Sequence, residues 1–217
     1  MKIIEVRKMT FNTLNPEMNE ISATLDKLGT GHSIDVINWK EYQYKPEVRF
    51  NIAYSDKEIF LKYYITEKYF KAEKTRTNQM VCEDSCVEFF VSPADDGIYY
   101  NFEFNGIGTC LAGSGTSRKD SSLVPEELIK KIRRITSFGE LPVMEKKGKF
   151  RWTITLVFPV EVFFRHKINE MNGKTFKANF YKCGDKLSNP HYLTWNRVET
   201  AAPDYHQPGF FGQLKFV

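Results

Sequence analysis

The chain has 217 residues, 41% of them hydrophobic and 27% charged, with a formal net charge of +4. That length and balance suit one large globular domain and exclude both a disordered chain and one dominated by charge. Its Lys and Arg are scattered rather than clustered on one element, so no nucleic-acid surface is expected. No run approaches the ~20 apolar residues of a membrane span, and the start, KIIEVRKMTF, is too charged for an export signal. As written, the chain reads as cytoplasmic; a longer precursor carrying a signal would place it in the periplasm or outside the cell. Aromatic residues reach 15%, with 18 Phe and 11 Tyr, a surplus that favours strands.

In chain order, Lys2 to Val6 reads as a short strand. Asn15-Pro16 then opens a helix, with Met18, Ile21, Leu25 and Leu28 at helical spacing and Gly29 as the stop. Val48-Phe50-Ile52-Tyr54 and Ile59-Leu61-Tyr63-Ile65 alternate as two strands of a hairpin joined at residues 55–58. Lys68 to Gln79 reads as a charged loop. From Asp84 to Ser92 and from Tyr99 to Asn105 two more alternating strands flank the turn Ser-Pro-Ala-Asp-Asp-Gly. One face of this hairpin holds Val87, Phe89, Val91, Tyr100, Phe102 and Phe104. The other holds Asp84, Glu88, Asn101, Glu103 and Asn105, and no Lys or Arg.

That polar face is the informative one. Amides and carboxylates on a rigid sheet make paired hydrogen bonds, which suits the vicinal hydroxyls of a sugar. An ordinary solvated sheet face is the plain alternative.

Further along, Pro125 to Ile135 reads as a helix, acidic at its start and basic at its end, as the helix dipole favours. Phe150-Trp152-Ile154-Leu156, Phe176-Ala178-Phe180, Leu193-Trp195 and 211–216 read as further strands. The whole predicts an all-β fold: an antiparallel β-sandwich of about nine to eleven strands with a few short helices, as a single domain over residues 1–217. Cys82, Cys86, Cys110 and Cys183 lack paired zinc-site spacings and read as free thiols. On one regular strand Cys82 and Cys86 would stand ~13 Å apart, too far to bridge. Trp39, Trp152 and Trp195 read as core.

Three stretches carry a resemblance. Trp39 with the strand pair at 48–63, the segment Glu83-Asp84-Ser85-Cys86-Val87-Glu88-Phe89-Phe90, and the ending Leu193-Thr194-Trp195 with Pro203-Asp204-Tyr205-His206-Gln207-Pro208 and Phe211-Gly212 together resemble the family 9 carbohydrate-binding modules and their DOMON-like sandwich relatives. The resemblance implies non-catalytic binding of the end of a glucan, xylan or related polysaccharide or oligosaccharide. It implies a sugar held between two aromatic rings, with sheet side chains bonding its hydroxyls. One ring position falls on Tyr205. The other falls on Cys82, which has no stacking face; Phe70, Tyr69 and Trp39 are the substitutes nearby in the pattern. The matching polar positions are Glu103, Asn105 and Arg118, with Asn179 and Tyr181 on a bordering strand; Glu88 and Asn101 complete the set of sugar-binding candidates. No cofactor is implied except structural calcium, for which Asp95 and Asp96 are the candidates, although adjacent turn aspartates more commonly serve only the turn.

Three other readings compete. Glu88 and Glu103 stand across the hairpin, at a spacing compatible with the carboxyl pair of a glycoside hydrolase. An open sheet face, however, would leave their pKa values near the ordinary range. Met80 and His206 would be haem ligands if their loops meet. A sandwich that binds only another protein would use the polar face as plain surface.

Overall fold

The computed structural model describes residues 1–13, 15–29 and 31–217. Fourteen strands among the described residues build the sandwich expected from the alternating segments, more than the nine to eleven expected. The surplus comes partly from two-residue pieces that no periodicity can signal: β2 (His32–Ser33), β3 (Val36–Ile37) and β9 (Ser122–Leu123).

One sheet runs β9, β8 (Cys110–Gly115), β7 (Tyr99–Asn105), β6 (Cys86–Ser92), β12 (Thr175–Cys183), β14 (Gly212–Phe216) and β1 (Ile3–Lys8). Strand β13 (Tyr192–Thr194) adds to the free end of β12 and carries β3. The second sheet runs β10 (Arg133–Thr136), β11 (Val143–Pro159), β5 (Glu58–Ala72) and β4 (Glu47–Tyr54). Strand β1 belongs to both: Ile3 to Val6 lie parallel to β14, whereas Arg7 and Lys8 pair with β4. A strand that changes sheet in this way fixes the corner of a sandwich.

The apolar faces meet between the sheets. Val87, Phe89, Val91, Tyr100, Phe102 and Phe104 are all buried there, against Phe50, Leu61, Tyr63, Ile65, Trp152, Ile154 and Phe158. Phe180 stacks on Phe50 with centroids 3.9 Å apart and on Phe89 at 5.1 Å. Each such ring contributes about 1.5–3 kcal/mol by leaving water. Trp152 and Trp195 lie in this core, and Trp39 is buried in a separate cluster on the outer face of the first sheet. The outer face of the second sheet is covered by α1 (Met18–Asp26), whose Ile21 and Leu25 pack on Ala53, Phe60 and Val157.

Three sequence expectations are corrected. The first helix starts at Met18 after Glu17, not at Asn15-Pro16, and no side chain caps it. The loop expected from Lys68 is strand as far as Ala72, because β5 extends to pair with the long β11. The second helix, α2, covers only Glu126–Ile129. Arg133 and Arg134 lie instead on edge strand β10, where Arg133 bonds Glu58 at 3.0 Å and the Pro16 carbonyl at 2.8 Å. Those partners and the β11 edge outweigh the helical charge pattern.

Candidate functional site

The outward positions of β6 and β7 carry Glu88, Asn101, Glu103 and Asn105, in register with Glu88 directly opposite Glu103. The structure covers this face rather than leaving it open. The turn at Val81–Glu83, the residues after β12 and the segment before β14 rise around it, leaving a cavity of about 430 Å³. Its lining includes Cys82, Glu88, Asn101, Glu103, Arg118, Asp185, Tyr192 and Asp204 to His206. That volume lies within the usual range of small-ligand sites.

Burial decides the chemistry. Glu88 and Glu103 are 3% and 6% exposed. Burial holds Glu88 well above the usual carboxylate range, and the neighbouring Glu103 charge adds to the effect. Burial likewise pushes Glu103 up to about 7 and Asp185 up to about 6. The expectation that an open face would leave these acids unshifted is therefore overturned, since desolvation penalises the ionised form. Asn101 Nδ2 donates to Glu103 Oε1 at 3.0 Å, and the Cys183 thiol donates to Glu88 Oε1 at 3.0 Å. Asn101 Oδ1 and Asp185 Oδ1 are buried with no hydrogen-bond partner. A buried acceptor left bare costs about 1–3 kcal/mol, so both atoms favour a ligand that donates.

The walls are locked by their own bonds. His206 Nδ1 lies 2.8 Å from the Tyr99 hydroxyl, and burial lowers the His206 imidazole to about 4, so it is neutral at pH 7. Arg118 Nε sits 3.8 Å from Asp204 Oδ1 on a loop closed by Asp120, which accepts from Thr116 and Ser117. On the floor, Gly113 leaves room for Asn101: a Cβ there would stand 2.7 Å from Asn101 Oδ1.

Of the sequence-derived candidates, Glu88, Asn101, Glu103, Arg118 and Tyr205 converge on the cavity. Asn105, Asn179 and Tyr181 do not line it. Asn105 donates to the Lys74 carbonyl and to Asp84 and accepts from Thr109, which fastens the β7–β8 turn. Asn179 takes up both the N–H and the carbonyl of Asn196. Tyr181 is buried beneath Tyr205, their rings parallel within 7° and 4.0 Å apart. Tyr205 is itself only 7% exposed, with its hydroxyl bonded to the Lys182 carbonyl. The substitute rings fall elsewhere: Phe70 stacks on Phe138 in the core, Tyr69 packs near Tyr44, and Trp39 lies behind Tyr205. The aromatic side chains at the cavity are Tyr192, Tyr205 and His206.

Asp185, Tyr192, Asp204 and His206 line the cavity without having been among the expected sugar-binding residues. Asp204 and His206 flank Tyr205 in the very segment that carried the resemblance, which was a usable signal. Asp185 had none beyond following the end of β12.

Metal-binding capacity among the described residues lies beneath the floor. Cys86, Glu88 and Cys183 bring two sulfurs and a carboxylate oxygen within 4.8 Å of one another, all buried. Burial pushes the Cys86 thiol up to about 12 and Cys183 well above its ordinary value, so both hold protons without a metal. All four cysteines are free. The calcium candidates are engaged otherwise: Asp95 pairs with Lys177 at 2.6 Å, and Asp96 with His166 at 3.0 Å and with the Ile98 N–H. Met80 and His206 do both line the cavity. A second hollow, about 840 Å³ by Arg49, Tyr64 and Arg151, has its charged side chains exposed and no buried unpartnered polar atom among its lining.

A β-sandwich with a polar hollow sunk into one outer sheet face is built to hold a small polar ligand against rigid strands. The chain belongs to carbohydrate-binding family 9, whose model matches residues 20–216. A candidate carbohydrate-binding protein from Bacteroides uniformis ATCC 8492, solved by crystallography, is 40% identical and superposes with a TM-score of 0.95, covering 100% of this chain and 99% of that one. A family 9 module from Caldicellulosiruptor kristjanssonii solved with glucose is 10% identical, with a TM-score of 0.60 over 100% of this chain and 96% of that one. A family 9 module from the same organism solved with cellotriose gives 11%, 0.59, 99% and 93%. At that identity the last two establish the shared fold. No curated protein matched the sequence. Among the described residues, no helix is long and apolar enough to cross a membrane.

Proposed function

We propose that the cavity over β6 and β7 binds the end of a saccharide chain without cleaving it. The observation that carries this reading is the sheet-floored hollow lined by Asn101 and Asp185, each with a buried oxygen that has no hydrogen-bond partner, in a chain of carbohydrate-binding family 9. Sugar hydroxyls would donate to them, Arg118 would donate to a ring or hydroxyl oxygen, and Tyr192 with the exposed edge of Tyr205 would meet the C–H face. The glucose and cellotriose in the family 9 modules of known structure support a saccharide of this size.

The acid pair argues against hydrolysis. Glycoside hydrolysis needs one carboxyl protonated and its partner ionised, so their environments push the two pKa values apart. Here burial pushes Glu88 and Glu103 in the same direction. Neither is kept in the ordinary carboxylate range that a nucleophile or base would occupy.

The test is titration calorimetry of the wild type with glucose, cellobiose, cellotriose and xylobiose, repeated with Arg118→Ala and Asp185→Ala. Saturable binding, weakened at least tenfold in both variants, supports the reading. Absence of binding across the set, or binding that neither variant alters, overturns it.

A further inference from the structure

The charge around the cavity is one-sided. Glu88 comes from β6, Glu103 from β7, Asp185 from the segment after β12, and Asp204 from the segment before β14. Against these four carboxyls stands one lining cation, Arg118, and it sits beside Asp204. The other titratable groups facing the space are the Cys82 thiol, the Tyr192 and Tyr205 phenols and the His206 imidazole, none of them cationic at pH 7. Among the described residues, Glu88, Glu103 and Asp185 have no ion-pair partner within 4.0 Å, although neighbouring surface acids such as Glu83 and Asp95 do. Asn101 adds a bare acceptor beside Glu103.

A neutral sugar would satisfy the hydrogen bonds and leave the carboxyl cluster without a counter-charge. A uronic acid or sulfated sugar would add a like charge to a buried cluster, which costs several kcal/mol. A ligand ammonium does what neither can: it supplies three donors and the missing counter-charge in one group.

We infer that the saccharide selected by this cavity is an amino sugar, its ammonium set among Glu103, Asp185 and Asn101 with Glu88 beneath. The inference rests on the saccharide-binding reading above and names the class of sugar.

The experiment is calorimetric titration of the wild type with glucosamine, N-acetylglucosamine, glucose and glucuronate, and with the β-1,4-linked glucosamine and glucose disaccharides. N-acetylation removes the charge while keeping the ring, so that comparison isolates the ammonium. Glucosamine should bind at least tenfold tighter than glucose or N-acetylglucosamine, with glucuronate weakest. The Glu103→Gln/Asp185→Asn variant should bring glucosamine within about threefold of glucose. The wild-type comparison of glucosamine with N-acetylglucosamine carries the test should that variant fail to fold. Glucose or N-acetylglucosamine binding as tightly as glucosamine overturns the amino-sugar inference and leaves the saccharide site standing. Silence from every sugar overturns both.

Discussion

Glu88 and Glu103 face each other directly across β6 and β7, and both are buried at the floor of the same cavity. Two carboxyls in that position cannot ionise independently, and burial opposes the ionisation of each. The unfolded chain has no such constraint. Between about 4.5 and 7 the folded protein therefore holds protons that the unfolded chain has released, and these acids cost stability as pH rises.

His32, His191 and His206, all lowered by burial, act in the opposite sense: the unfolded chain binds their protons first, so they cost stability as pH falls below about 6.5. A wild-type melting curve sums both effects, whereas a variant isolates one. Glu103→Gln should raise the melting temperature at pH 8 by several degrees, at roughly 2–4 °C per kcal/mol for a chain of this size, and by less at pH 5. Thermal melts at the two pH values check the sign; an equal shift at both would show that Glu103 is ionised throughout.

The same shared direction of shift predicts no glycosidase activity. Wild-type protein incubated with p-nitrophenyl β-glucoside and β-xyloside should release nitrophenol no faster than Glu88→Gln or Glu103→Gln. Turnover that either substitution abolishes would contradict a purely binding role.

Tyr205 is a structural ring as much as a binding one. It stacks on Tyr181 and anchors its hydroxyl on the β12 backbone. Tyr205→Ala should cost about 3–5 kcal/mol of stability, so loss of binding in that variant would not identify a stacking contact. Tyr205→Phe should cost about 1 kcal/mol and leave saccharide affinity within twofold. Denaturant unfolding together with calorimetry separates the two effects.

At the same end of β12, the Lys182 side chain is fully buried 2.9 Å from Glu67, whose second oxygen accepts from Trp152 Nε1 at 2.7 Å. Removing one charge of such a pair leaves the other uncompensated, at about 3–5 kcal/mol. Lys182→Met should lose that much, and Lys182→Met/Glu67→Gln should recover most of it while keeping an acceptor for Trp152. Urea titrations of the two variants provide the comparison.

Period-2 alternation made the sandwich legible, because each apolar strand face had to be buried against another. It also placed Glu88, Asn101 and Glu103 on one face, where the structure has them. What alternation cannot show is what lies above a face. The lid over this one comes from residues 80–83, 184–187 and 203–207, which are remote in sequence and have no period. For that reason Asp185 went unseen, and the acids were expected to stand in water. Asn105 and Asn179 share the residue type and the face of the true lining groups. Only local geometry reveals that their amides are engaged by the backbone of Lys74 and Asn196. Arg133 and Arg134 illustrate the opposite case, in which a sound local helix pattern yields to an unfilled strand edge.

Amide chemical-shift mapping of isotope-labelled protein titrated with cellotriose locates the saccharide site. Saturable shifts should be confined to Asn101–Glu103, Gly113–Ser122, Asp185 and Asp204–His206. Shifts gathered instead around Arg49, Tyr64 and Arg151, at the larger hollow by the second sheet, would contradict it.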